Sequence, residues 1–216
     1  MPRLFTALEI PADIAFSLSL LRGGLPGGRW VDPGNYHITL RFIGDIDRAT
    51  AGDIADSLTR ISRPGFEICL DGLGAFGGRK PHALIAGVRG SARLTELQAE
   101  HERLMQRLGL EPERRKYKPQ VTVARLRGSS EPDVATYLAV RGRFLTPPFP
   151  VVRFVLMSSR DTRGGGPYVM EEAYDLAPRE GRQSQGSVGH GREGDAREDH
   201  AKRPWTYQAG RSASRP

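Results

Sequence analysis

Two periodicities take turns along this chain. Residues 4–10, 37–43, 66–73, 83–88, 120–125, 151–157 and 168–176 alternate apolar with polar side chains or form short apolar runs, which predicts strands. Between them, apolar residues recur at helical spacing. Pro11-Ala12-Asp13 opens a helix towards residue 22, with proline suited to its first turn. Residues 50–61 place Ile54, Leu58 and Ile61 on one stripe, and residues 131–140 form a shorter helix. Residues 94–108 place Leu94, Leu97, His101, Leu104, Met105 and Leu108 on another stripe, with Gly109 set to stop the helix. Loops or turns are predicted at 23–28, at Gly44-Asp45 and at Gly164-Gly165-Gly166.

This order of elements predicts an α+β fold and not a regular βαβ alternation. Two of the strands are near copies. His37-Ile38-Thr39-Leu40 in the first half answers to Gln120-Val121-Thr122-Val123 in the second. In extended chain, His37, Thr39 and Arg41 share one face while Ile38, Leu40 and Phe42 share the other, which makes Phe42 a core residue. Gln120 and Thr122 repeat the polar face, and Arg125 falls out of phase with them unless the strand bulges near Ala124. Such a repeat suits two pseudo-symmetric lobes, each an antiparallel-type sheet with helices outside, the sheets lining a central cleft. The expected domain is 1–178.

Composition narrows the picture. The chain has 216 residues, enough for a sizeable core, and its one cysteine, Cys69, reads as a small buried apolar residue in a strand. A lone cysteine agrees with a reducing compartment, and Glu9 and Asp13 interrupt the apolar start, so a cytoplasmic protein with no membrane segment is expected. The formal net charge of +7 favours a polyanionic partner. Part of that charge belongs to residues 179–216, with eight Lys and Arg against five Asp and Glu, and without Leu, Ile, Phe or Met. This segment reads as a disordered basic tail rich in Gly, Ser and Arg.

Three patterns carry less than they suggest. Gly72-Leu73-Gly74-Ala75-Phe76-Gly77 matches G-x-G-x-x-G, but another strand follows it where a dinucleotide site needs a helix. His101-Glu102 begins like a zinc helix, yet Met105 stands where the second histidine belongs, and His101 lies on the apolar stripe. His82 follows Lys80-Pro81 in a loop, where a surface histidine is the plainer reading and a substitute base the sharper one.

In context the two motif strands resemble those of the two-histidine (2H) phosphoesterases, specifically the bacterial RNA 2′,3′-cyclic phosphodiesterase group, also named 2′-5′ RNA ligases. The resemblance rests on Leu4-Phe5-Thr6-Ala7-Leu8, on Trp30-Val31-Asp32-Pro33 leading into His37–Gly44, on Lys118–Arg125, and on the closing strand pair. It implies cofactor-free, metal-free hydrolysis of RNA 2′,3′-cyclic phosphate ends to a 2′-phosphate by a monomer, with tRNA fragments among the substrates. His37 matches the proton donor. Thr39 and Thr122 match the threonines that hold phosphate oxygens, and Arg41 and Arg125 are further candidates for that charge. Gln120 takes the place of the proton-accepting histidine. A glutamine orients water but takes no proton, so reduced activity is expected. The alternative is a nearly inactive protein that binds cyclic-phosphate RNA ends.

Overall fold

The computed structural model describes residues 3–159 and 168–177. The chain opens with β1 (Arg3–Glu9), buried along nearly its whole length, and α1 (Ala12–Ser19), with Pro11 at its N-cap. The short β2 (Gly28–Trp30) and a 3₁₀ turn (Pro33–Asn35) lead into β3 (His37–Asp45). After α2 (Arg48–Leu58) come β4 (Phe66–Ile68), β5 (Leu70–Phe76) and β6 (Ala83–Val88), then α3 (Ala92–Arg107). The second half holds β7 (Gln120–Leu126), α4 (Glu131–Arg141), β8 (Phe149–Val151), β9 (Arg153–Ser159) and β10 (Tyr168–Asp175).

The α+β class and antiparallel pairing agree with the sequence reading. The expected lobes are the two halves of one sheet, ordered β10-β9-β1-β3-β7-β6-β5 with β2 paired to β7. Both halves are antiparallel, and the pair Ile38↔Val121 joins them. Two single strands expected from sequence are each divided. At Cys69 the chain leaves β4, which pairs with β8 in a separate two-stranded sheet, and enters β5 in the main sheet. Likewise Val152 separates β8 from β9. An apolar run does not reveal that its halves pair with different partners.

Helix signals acted as expected. Ser91 caps α3 through a bond to the Leu94 amide, and Gly109, at φ +82°, takes the left-handed conformation that ends it. Ser130 and Asp133 form a reciprocal capping box on α4. Gly72, at φ +80°, lies in an irregular stretch of the β5–β6 ladder, so the glycine motif belongs to a strand and not to a phosphate loop. The glycine turn at 164–166 and the tail from 179 lie outside the described residues.

The main core runs through Leu4, Leu8, Ile38, Leu58, Leu84, Leu97, Met105, Val121 and Phe154, all at most 1% exposed. A second, small cluster of Phe5, Ala7 and Val155, with Met157 and Tyr168 against it, lies beside the first motif strand on β1, β9 and β10. No helix among the described residues is long and apolar enough to cross a membrane.

Candidate active site

The first motif is set up by its approach. Asp32 caps the 3₁₀ turn by accepting from the Gly34 amide at 2.9 Å, and this turn presents the Asn35 carbonyl to the next strand. His37 Nδ1 lies 2.8 Å from that oxygen. A carbonyl only accepts, so Nδ1 carries the proton and Nε2 is left as the exchangeable position. The ring rests on the small apolar cluster, with Phe5 at 5.0 Å and Tyr168 edge-on at 5.0 Å. Burial there pulls the His37 pKa below its ordinary value; the Asn35 bond opposes this, and the positive charge of Arg125 adds to it.

The two motif strands share one irregularity. The pairing of β3 with β1 runs Ala7↔Thr39 and then Thr6↔Arg41, skipping Leu40, while that of β7 with β6 runs Ile85↔Thr122 and then Leu84↔Ala124, skipping Val123. Each strand therefore bulges at the fourth motif position. Burial follows the same course in both: His37 and Thr39 are half-buried, Leu40 and Arg41 buried, Phe42 exposed; Gln120 and Thr122 half-buried, Val123 and Ala124 buried, Arg125 exposed. A bulge adds one residue and shifts the later side chains in phase.

This corrects the strict alternation expected for Arg41 and Phe42. Arg41 is only 7% exposed, and its guanidinium is committed elsewhere. It forms an ion pair with Glu102 of α3 at 2.5 Å and donates to the carbonyls of Phe42 and Glu111. Those partners hold its guanidinium within the protein, while the residue itself lines the cleft beside Thr39. Phe42 is not core: it is 44% exposed, lines the cleft, and has the Arg3 guanidinium over its ring. The bulge near Ala124 that Arg125 required is present, and the Arg125 charge acts on His37.

The cleft over the seam encloses about 210 Å³, and His37, Thr39, Gln120 and Thr122 all line it. Its outer wall is the segment before β7, with Glu113, Arg115, Lys116, Tyr117 and Lys118. In the sequence Lys118 marks only a flank of the second motif, yet the run Arg114-Arg115-Lys116-Tyr117-Lys118 sets basic residues around an aromatic beside that motif, and this is the signal for the wall. Glu102 anchors this wall: it accepts from the Glu113 amide at 2.9 Å and from Gln106 at 2.8 Å. Burial works to raise the Glu102 pKa, but these bonds and the Arg41 charge outweigh it and hold the carboxylate below its usual range.

The other two histidines among the described residues stand apart. His82 is exposed beside Phe76 and precedes Ala83, which pairs with Arg125; the β6 residue opposite Gln120 is Gly87, five positions and roughly 16 Å along the strand. It does not line the cleft. His101 is fully buried, bonded through Nδ1 to the Leu97 carbonyl at 2.9 Å and set edge-on to Phe154.

Paired motif strands meeting at the seam of a two-part antiparallel sheet, with their polar faces lining one cleft, define a 2H-type phosphoesterase. The chain belongs to the family of LigT-like phosphoesterases, whose model matches residues 8–85 and 88–168. It is 36% identical over 156 residues to an RNA 2′,3′-cyclic phosphodiesterase of Aquifex aeolicus, covering 68% of this chain and 81% of that one. A protein of the same name from Aeropyrum pernix is 38% identical over 113 residues, 51% of this chain and 64% of its own. The chain thus spans less than two thirds of that relative's length. Among solved structures, Escherichia coli LigT complexed with 3′-AMP superposes with a TM-score of 0.65 at 27% identity, covering 82% of this chain and 99% of that one.

Proposed function

We propose that this protein opens the 2′,3′-cyclic phosphate at RNA ends, tRNA fragments included, with water to leave a 2′-phosphate. The reading rests above all on the convergence of His37, Thr39 and Thr122 on one cleft. Displacement at phosphorus needs a proton donor for the departing oxygen and donors for the charge that builds on the phosphoryl oxygens. His37, protonated at Nε2, gives its proton to the 3′-oxygen. The hydroxyls of Thr39 and Thr122, with the guanidinium of Arg125, hold the non-bridging oxygens. Gln120 accepts a hydrogen bond from the attacking water and aims it, and the water's proton passes to solvent.

Gln120 therefore sets the rate. A positioned general base contributes about 10² to 10⁴-fold, so hydrolysis proceeds slowly while the phosphate cradle is retained. The same residue favours a second reading, a protein that binds cyclic-phosphate ends with almost no turnover. Hydrolysis of a 2′,3′-cyclic mononucleotide by the protein, by Gln120→His and by His37→Ala separates the two. The hydrolase reading expects measurable turnover that His37→Ala abolishes. Binding without turnover supports the second reading, and residual turnover untouched by His37→Ala overturns the two-motif site. The mechanism uses no metal, so inhibition by a chelator is a further result that overturns it.

A further inference from the structure

His37 forms a wall between two cavities of opposite character. On one side is the basic cleft, where Arg115, Lys116 and Lys118 gather. On the other is a cavity of about 400 Å³ between α1 and the first motif strand, with Ile10, Ala15, Phe16, Tyr36 and Met157 in its lining. Among the described residues no lysine or arginine lines this second cavity, and the carboxylate that does, Glu9, is held by Arg153 at 2.6 Å. Phe16 stands on the rim, 64% exposed on a helix only eight residues long. A large aromatic left in water beside an apolar hollow of ligand size suits an occupant with a flat apolar face.

We infer that the apolar cavity between α1 and His37 receives the base of the terminal nucleotide, stacked on Phe16. The inference rests on the cyclic-phosphate reading and extends it by giving the substrate a direction. In an in-line displacement the attacking water and the departing 3′-oxygen lie on opposite sides of phosphorus. Water enters from the Gln120 side, so the 3′-oxygen and the ribose that keeps it lie on the His37 side. The base projects from that ribose into the cavity that His37 bounds. The opposite assignment places an uncharged base in the cationic cleft and leaves the apolar cavity to the charged backbone. Ser19 Oγ donates to the Phe16 carbonyl at 2.6 Å and Glu9 faces Arg153, so these two side chains are already engaged. Stacking without strong edge readout predicts acceptance of all four bases, with purines ahead of pyrimidines.

Calorimetric titration of the whole protein with 2′-AMP and with 1-O-methylribofuranose 2-phosphate, which lacks a base, tests this. The expected result is about tenfold tighter binding of 2′-AMP, an advantage lost in Phe16→Ala and kept in Phe16→Tyr. Phe16 is exposed, so its truncation leaves the fold intact, and thermal denaturation checks this. Equal affinity for the two probes overturns the base site and leaves the cyclic-phosphate reading standing. An advantage that survives Phe16→Ala places the base elsewhere and also overturns it. If neither probe binds, the cyclic-phosphate reading fails and the base site falls with it.

Discussion

Ile38 and Val121 form the backbone pair that joins the two motif strands, and their buried side chains close the seam on the core side. In antiparallel register the pair sets His37 across from Thr122 and Thr39 across from Gln120, all four on the opposite face. His37 and Gln120 then occupy a diagonal, where neighbouring strands place side chains about 7–8 Å apart. A phosphate between them has one on each side. On the proposed mechanism the symmetry supplies two cradle hydroxyls, Thr39 and Thr122, but only one ionisable ring, which makes position 120 the weak point.

Restoring a histidine at position 120 therefore restores a base. Gln120→His is expected to raise kcat on a 2′,3′-cyclic mononucleotide by at least about tenfold. The pH profile changes with it. In the parent protein kcat/KM needs His37 protonated, and burial holds that pKa below the ordinary 6.5, so the rate falls as pH rises through a value under 6.5. In the variant a second group must be neutral, and the profile becomes bell-shaped. A rise without this change of shape contradicts the assigned role.

The proposed mechanism sets Arg125 on the phosphate, and its charge also acts on His37. Its positive charge disfavours the imidazolium, so Arg125→Ala moves the His37 pKa upward, readable from the ring's proton shifts in a pH titration. Turnover should nevertheless fall by about tenfold or more, because a donor to the charged phosphoryl group is gone. An unshifted His37 titration contradicts the proximity of the two groups.

Much of this site could be read from the chain, and the part that could not has a single cause. Alternation identified His37, Thr39, Gln120 and Thr122 because they precede the bulges. Past Leu40 and Val123 the phase changes, so Phe42 is exposed and lines the cleft beside Arg41, while Arg125 is exposed with its charge acting on His37. A bulge depends on the ladder formed with a neighbouring strand, and the motif residues themselves do not encode it. The split of residues 66–73 between two sheets has the same origin, since partners far along the chain decide it. The wall at 113–118 is irregular chain and has no periodicity from which its position can be read.

The reassignment of Arg41 yields a stability prediction. Arg41→Ala leaves Glu102 without its cation and frees the carbonyls of Phe42 and Glu111. Breaking such a pair from one side costs about 2–3 kcal/mol, measured as a lower urea midpoint at pH 7. Affinity for inorganic phosphate should change less than in Arg125→Ala. A stable Arg41→Ala protein that has lost phosphate binding reverses the assignment.

His101 makes the fold sensitive to acid. Complete burial pushes its pKa down to about 4, against the bond to the Leu97 carbonyl and the nearby Glu100 charge, which favour the proton, and with Arg63, which does not. In the unfolded chain the ring takes up a proton near pH 6.5; the folded protein refuses it until about pH 4. The stabilising contribution is thus complete above pH 6.5 and is lost progressively as pH falls from there towards 4. Between pH 7 and pH 5 the loss amounts to about 2 kcal/mol. Urea unfolding at the two pH values measures it, with His101→Leu as the comparison that removes this proton site and keeps an apolar side chain against Phe154. The parent should lose more stability on acidification than the variant. Equal losses in the two proteins mean that carboxylates, and not this buried ring, govern the response to acid.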